Sequence, residues 1–159
     1  MNKEELIRFY SAYLPYKLEV KVYFDDPDHS RIVTMCAIDT DEIYTYMRHP
    51  ESWYISGRDE KHNMRGNYGI LECKPILYDL SYLTKEIEHE GSRFVPLHRI
   101  LEEYYFDLSK MDEKYILSFK ESLIEVDMSY KTAQMLLSWH FNIFGLKENE
   151  FINKATLNK

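Results

Sequence analysis

Glycine and proline are scarce, with five of each in 159 residues. Long flexible or low-complexity stretches are therefore excluded, and most of the chain reads as folded. Cysteine is scarcer still. Cys36 and Cys73 stand far apart in strand-like apolar contexts, and no C-x-x-C pair occurs, which removes zinc ribbons and thioredoxin-type dithiols. The two thiols read as small buried side chains of a reduced protein. No stretch approaches the roughly 20 apolar residues needed to span a bilayer. The start Met-Asn-Lys-Glu-Glu also lacks the basic residues and apolar core of a signal peptide. A cytosolic protein with no membrane contact is expected.

Positive charge is short as well. Lys and Arg number 20 against 27 Asp and Glu, a net charge of -7. A general binder of phosphate backbones needs a basic face to release counterions, so this balance argues against nucleic acid as the partner. The acidity is spread evenly, with 10 basic and 14 acidic residues up to Leu80 and 10 and 13 after it. A dedicated acidic tail imitating DNA is thereby unsupported. Catalytic and cofactor signatures are missing too: no G-x-S-x-G, Walker loop, dinucleotide fingerprint or H-E-x-x-H is present, so no cofactor and no metal is expected.

What is present suits one ordinary domain, with 45% apolar and 30% charged residues and enough length for a single core. Residues 1–151 are expected to form that domain and 152–159 a frayed polar tail. Leu6, Phe9, Tyr10, Tyr13 and Leu14 fall on one helical face, with Asn2 and Glu5 as a capping box and Pro15 as the stop. Leu18, Val20, Val22 and Phe24 alternate as a half-buried strand, and residues 31–38 read as its antiparallel return. Residues 42–47 read as a helical turn, 56–69 as a long polar loop, and 70–77 as a strand with Pro75 at an edge or bulge.

Further on, residues 80–85 read as a helical turn, and 86–95 as a hairpin turning at Glu90-Gly91. A helix from Pro96 to about Phe106, strands at 115–119 and 122–126, and a last helix over 130–144 ending at Gly145 complete the chain. Strands and helices do not alternate regularly. The expected fold is α+β, a mainly antiparallel sheet with an N-terminal, a central and a C-terminal helix packed on one face.

Several groups invite a chemical role. His140, between Trp139 and Phe141, shares a helical stripe with Ala133, Leu136, Leu137 and Phe144 and so reads as a core or boundary histidine. Glu86, Glu88, His89 and Glu90 are dense in titratable groups, but on a strand His89 faces away from the two glutamates, so a solvated hairpin is the better reading. Asp25, Asp26, Asp28 and His29 miss the glycine and terminal glutamate of a calcium loop. The one basic and aromatic cluster is Trp53, Tyr54, Arg58, Lys61, His62, Arg65 and Tyr68, a mixture that can hold single-stranded nucleic acid by stacking and phosphate contact. Asp59 and Glu60 cancel much of its charge.

Two stretches carry a resemblance. In Lys74 to Pro96, residues Leu80, Leu83, Thr84, Lys85, Glu86, Ile87, His89, Gly91, Phe94, Val95 and Pro96 match a shared pattern. In the second, Leu137, Trp139, His140, Phe141, Phe144, Gly145 and Leu146 do so. In these the chain resembles a family of small proteins carried by phages, prophages and other mobile elements of gut Bacteroidota. The resemblance implies a bacterial host cell and brings no activity, substrate or site. Glu90, Ser138 and Asn142 depart from the family's pattern.

Tyrosine is abundant, with 14 residues. Aromatic side chains with a polar handle are enriched in protein interfaces. The sequence therefore favours a non-enzymatic protein that binds another protein or a second copy of itself. The alternative is nucleic-acid or nucleotide binding through residues 56–69. An exposed tyrosine-rich patch would mark the first, and a pocket of converging titratable groups the second.

Overall fold

The computed structural model describes residues 2–23, 30–40, 53–59, 64–125 and 128–157. The fold is α+β with a mainly antiparallel sheet. The chain is organised as two compact units, one of Met1–Leu77 with Phe144–Lys159 and one of Tyr78–Ile143. The helices are α1 (Lys3–Tyr13), α2 (Pro96–Glu103), α3 (Glu113–Glu125) and α4 (Tyr130–Ser138). The strands are β1 (Glu19–Tyr23), β2 (Ser30–Thr40), β3 (Trp53–Asp59), β4 (Met64–Gly69), β5 (Cys73–Leu77), β6 (Ile87–His89), β7 (Ser92–Phe94) and β8 (Ile152–Asn153). No helix of the described residues is long and apolar enough to cross a membrane.

In the first unit, the expected capping box opens α1. Asn2 Oδ1 accepts from the Glu5 amide at 2.9 Å while the Asn2 amide donates to Glu5 Oε2 at 2.7 Å, so two otherwise unsatisfied amides are met. Pro15 follows in a short 3-10 turn, and Lys17, with φ 53°, redirects the chain into β1. One face of α1 buries Phe9, Tyr10 and Tyr13, and the Tyr10 hydroxyl donates to the Cys73 carbonyl on β5 at 3.0 Å. Each such aromatic contributes on the order of 2 kcal/mol of burial, so helix and sheet share one core.

The sheet runs β4-β3-β2-β1-β5-β8, and its β5–β8 pairing is parallel. Val20 and Val22 of β1 are fully buried, as the alternation requires, and β1 pairs antiparallel with β2 through Val20 and Val33. Pro75 sits opposite Val20, and the pairing with β8 begins only at Ile76. Proline, which donates no ladder bond, thus occupies the end of β5 that β8 does not reach. The segment 152–157, expected to fray, instead supplies β8 and a 3-10 turn, with Lys154 Nζ at 3.1 Å from Glu19 Oε2.

Residues 56–69 were expected as a loop, and much of this stretch is strand. Ile55, Gly57 and Asp59 of β3 are buried while Ser56 and Arg58 are half-buried, a period of two carried by polar residues. A methyl at Gly57 would lie 2.6 Å from Val33 Cγ2, so glycine here answers to the neighbouring strand and not to a turn. Ser56 donates to Asn67 Oδ1 across β3 and β4 at 2.8 Å. The helical turn expected at 42–47 and the turn residues 25–29 lie outside the described residues.

The second unit begins with Asp79, whose carboxylate accepts from the Ser81 amide at 2.8 Å and caps the 3-10 turn Leu80–Thr84. The hairpin β6–β7 turns at Glu90 (φ 49°) and Gly91 (φ 75°), the two left-handed residues that match the twist of a tight hairpin. Pro96 stands at the first position of α2, and Leu83, Leu97, Ile100, Leu101, Leu136 and Phe141 are fully buried. A parallel bridge joins Tyr78 to Phe141. In it the Tyr78 amide donates to the His140 carbonyl at 2.8 Å and the Asn142 amide to the Tyr78 carbonyl at 2.9 Å.

Two expectations fail here. The expected strand at 115–119 and residues 122–125 of the one expected at 122–126 are the single helix α3, and residue 126 lies outside the described residues. Ile116, Phe119, Lys120 and Leu123 are its less exposed positions, a period of 3.6, and the Asp112 carboxylate accepts from the Tyr115 amide at 2.7 Å as its N-cap. The last helix ends at Ser138, six residues before 144. His140 takes a left-handed conformation, φ 61°, and its amide donates to Leu137 O at 3.0 Å while that of Phe141 donates to Leu136 O at 2.8 Å. This is the paired closure of a helix C-terminus, with histidine where glycine is usual. His140 therefore shares no helical stripe with Phe144.

Candidate functional site

The surface that stands out lies in the second unit, where α2 ends and α4 begins. Leu101 is fully buried and anchors the last turn of α2. The Tyr105 amide donates to the Glu102 carbonyl at 2.9 Å and the Phe106 amide to the Leu101 carbonyl at 3.1 Å. These bonds follow the same five-to-two and six-to-one pattern that closes α4. Between them Tyr105 is held at φ 64°, and its side chain is 97% exposed.

The flanking aromatics are fixed in different ways. Phe106 turns towards α3, its ring centroid 6.3 Å from that of Tyr115 and 6.1 Å from that of Phe119. Tyr104 turns towards α4, where its hydroxyl hydrogen-bonds with Ser129 and, at 2.9 Å, with Thr132. Ser129 is also the N-cap of α4, accepting from the Thr132 amide at 3.1 Å. The Ser129 and then the Thr132 hydrogen bond hold the Tyr104 phenol below its ordinary value. Lys131 Nζ reaches Glu103 Oε1 at 2.6 Å and lies 6.0 Å from the centre of the Tyr104 ring. Tyr130, the first residue of α4, is 78% exposed and accepts from Gln134 Nε2 at 3.0 Å.

The result is an aromatic cap built from three helix ends and dominated by tyrosine. The same residue type serves two purposes in this chain. Tyr10, Tyr13, Tyr68 and Tyr78 are buried, whereas Tyr104, Tyr105, Tyr115 and Tyr130 present themselves to solvent. Composition announces the abundance of tyrosine but not this division. A signal was available at Glu102-Glu103-Tyr104-Tyr105-Phe106-Asp107, where an apolar helical pattern stops without glycine.

Of the basic and aromatic cluster of the first unit, Arg58 and Tyr68 are the members whose side chains are described. Tyr68 is opposite Ile55 in register and is buried with it, while Arg58 is half-buried at a position of the other parity. Tyr68 and Arg58 therefore belong to opposite faces of the sheet. Arg65 is the register partner of Arg58, and Trp53 and Tyr54 begin β3. Lys61 and His62 lie outside the described residues.

The hairpin carboxylates do not converge either. Glu88 pairs across the strands with Arg93 at 3.2 Å, and Glu86 and Glu90 are exposed. The structure does bring His89 to His140, ring centroids 5.3 Å apart and edge on at 87°. Phe94 and Trp139 meet in a similar way at 5.1 Å. Turn and hairpin thus meet through aromatic edges. Among the described residues no group of three His, Cys, Asp or Glu side chains is placed to hold a metal ion.

Cys36 is exposed and Cys73 buried. Burial raises the Cys73 thiol to about 12, with Glu72 adding to the shift. No protein-family model matches the chain, and no curated protein is significantly similar to it.

Proposed function

We propose that this chain is a non-enzymatic cytosolic protein of phage or mobile-element type, which acts by binding another protein through the aromatic cap around Tyr105. The observation that carries the reading is Tyr105 itself. A large side chain that is 97% exposed at φ 64° costs about 1 to 2 kcal/mol of backbone strain relative to glycine and returns almost no burial to the fold. Strain of this kind, held by surrounding structure, points to use elsewhere.

The chemistry of the cap supports protein recognition. Tyrosine offers a rigid, amphipathic ring that loses little entropy on binding, and tyrosine is enriched among the residues that dominate interface energies. Tyr104 and Phe106 are tied down on either side, so the anchor is presented in one arrangement before any partner arrives. Binding of this kind acts by occlusion or scaffolding and requires no catalytic group.

A photo-crosslinking residue placed at position 105 tests the reading in bacterial cells, with position 71 as the control. Leu71 is also strongly exposed, at 77%, but lies in the other unit. A discrete protein adduct from position 105 alone is expected. Adducts common to both positions, or none from 105, would contradict the reading.

A further inference from the structure

We infer that Thr132 is a positioning residue of the aromatic cap: its buried hydroxyl fixes Tyr104, and through Tyr104 the turn that presents Tyr105. This deepens the reading above and rests on it. Three hydroxyls meet where the end of α2 faces the start of α4. The Tyr104 hydroxyl contacts Ser129 Oγ and lies 2.9 Å from Thr132 Oγ1, and the two α4 oxygens are 3.0 Å apart. Each hydroxyl carries one proton, so a closed ring in which each donates once and accepts once satisfies all three. Bonds linked in this way also strengthen one another.

The three members are not equivalent. Ser129 and Tyr104 are exposed, so water can replace either of their ring bonds. Thr132 is only 2% exposed, and among the described residues its hydroxyl has no partner outside the ring. A buried hydroxyl left unpaired is costly, so Thr132 holds the Tyr104 phenol in place where the other two members need not. The ion pair of Lys131 with Glu103 joins the same two helices, but both of its side chains are half exposed, and exposed pairs contribute little. Tyr104 is in turn the C-cap of α2, and the Tyr105 and Phe106 amides close the turn immediately after it. A change at Thr132, itself buried, thus reaches the cap through Tyr104.

Thr132→Val keeps the shape of the side chain and removes the hydroxyl, and Thr132→Ser returns a hydroxyl to the same place. Hydrogen exchange of the Tyr105 and Phe106 amides, followed by NMR in the whole protein, reads the turn without any partner. Exchange there should quicken severalfold to about tenfold in Thr132→Val and return towards wild type in Thr132→Ser. Tyr104→Phe, which breaks the ring from its exposed side, should quicken the same amides. The Tyr104 phenol, held low by Ser129 and then by Thr132, should rise towards its ordinary value in Thr132→Val and return in Thr132→Ser. Unchanged exchange at the turn, or an unmoved Tyr104 titration, would overturn the inference. With the photo-crosslinker at position 105, the adduct should weaken in Thr132→Val and recover in Thr132→Ser. An adduct equally strong in all three proteins would overturn the inference and leave the binding function standing. No adduct from any of them would contradict the binding function, and exchange and titration would still decide what Thr132 does.

Discussion

The amide of Phe106 donates to the carbonyl of Leu101 at 3.1 Å, and with the bond from the Tyr105 amide to the Glu102 carbonyl it sets the presentation of Tyr105 at the end of α2. Leu101 belongs to the core and Phe106 leans on α3, so the residue between them is fixed at both sides while its own side chain stands clear. A side chain presented in this way is costly for the fold and, on the proposed function, serves as the anchor for a partner.

Tyr105→Gly should therefore stabilise the protein. Removal of a non-glycine residue from φ 64° gains about 1 kcal/mol at a helix C-terminus. Chemical denaturation would show the midpoint rising with an unchanged slope. A fall in the midpoint would mean that the tyrosine ring supports the fold.

Ser129→Ala acts on two groups at once. Loss of the N-cap of α4 should cost about 1 kcal/mol, and the phenol of Tyr104, held low first by Ser129, should titrate closer to its ordinary value. Phenolate absorbance during an alkaline titration reads the second effect. An unchanged Tyr104 titration would show that the Ser129 contact is not what lowers it.

Cys73 links the core to pH. Its thiol is raised from 9.0 to about 12, so the native state keeps a proton that the unfolded chain gives up. Below 9.0 both states hold the proton and stability is flat with respect to this group. Between 9.0 and about 12 the unfolded state binds fewer protons, and stability falls as pH rises. Tyr10, raised by burial, adds to the fall. Denaturation across this range should show a shallower decline in Cys73→Ala than in wild type; equal declines would contradict the assignment.

The two thiols should also differ in reactivity at neutral pH. Cys36 is exposed, whereas Cys73 is buried and neutral, and thiolate is the reactive form. A thiol reagent should modify Cys36 in the native protein and reach Cys73 only on unfolding. Rapid labelling of both would refute the buried placement of Cys73.

Much of the fold was legible wherever the deciding signal was local. Asn2 and Glu5, the Val20 and Val22 alternation, and Glu90-Gly91 each act within a few residues, and each appears as read. The failures have physical causes of the opposite kind. The apolar run at 115–117 imitates a strand, but Asp112 as N-cap and the period of Ile116, Phe119 and Leu123 make α3. The polar strand β3 is specified by a neighbour, Val33 against Gly57, and no local periodicity of apolar residues reveals it. His140 performs a glycine's task, which drew the expected helix end to Gly145 instead. The site was hidden for the same reason: Tyr105 performs that task at α2, and only the closed turn shows which tyrosines face outward.

The most direct measurement is capture of protein by the tagged chain from nuclease-treated bacterial lysate, with wild type and Tyr105→Gly compared side by side and the bound proteins identified by mass spectrometry. Binding through the cap predicts a stoichiometric partner on wild type that is lost on the stabilised, fully folded variant. The same partner retained equally by both would contradict it.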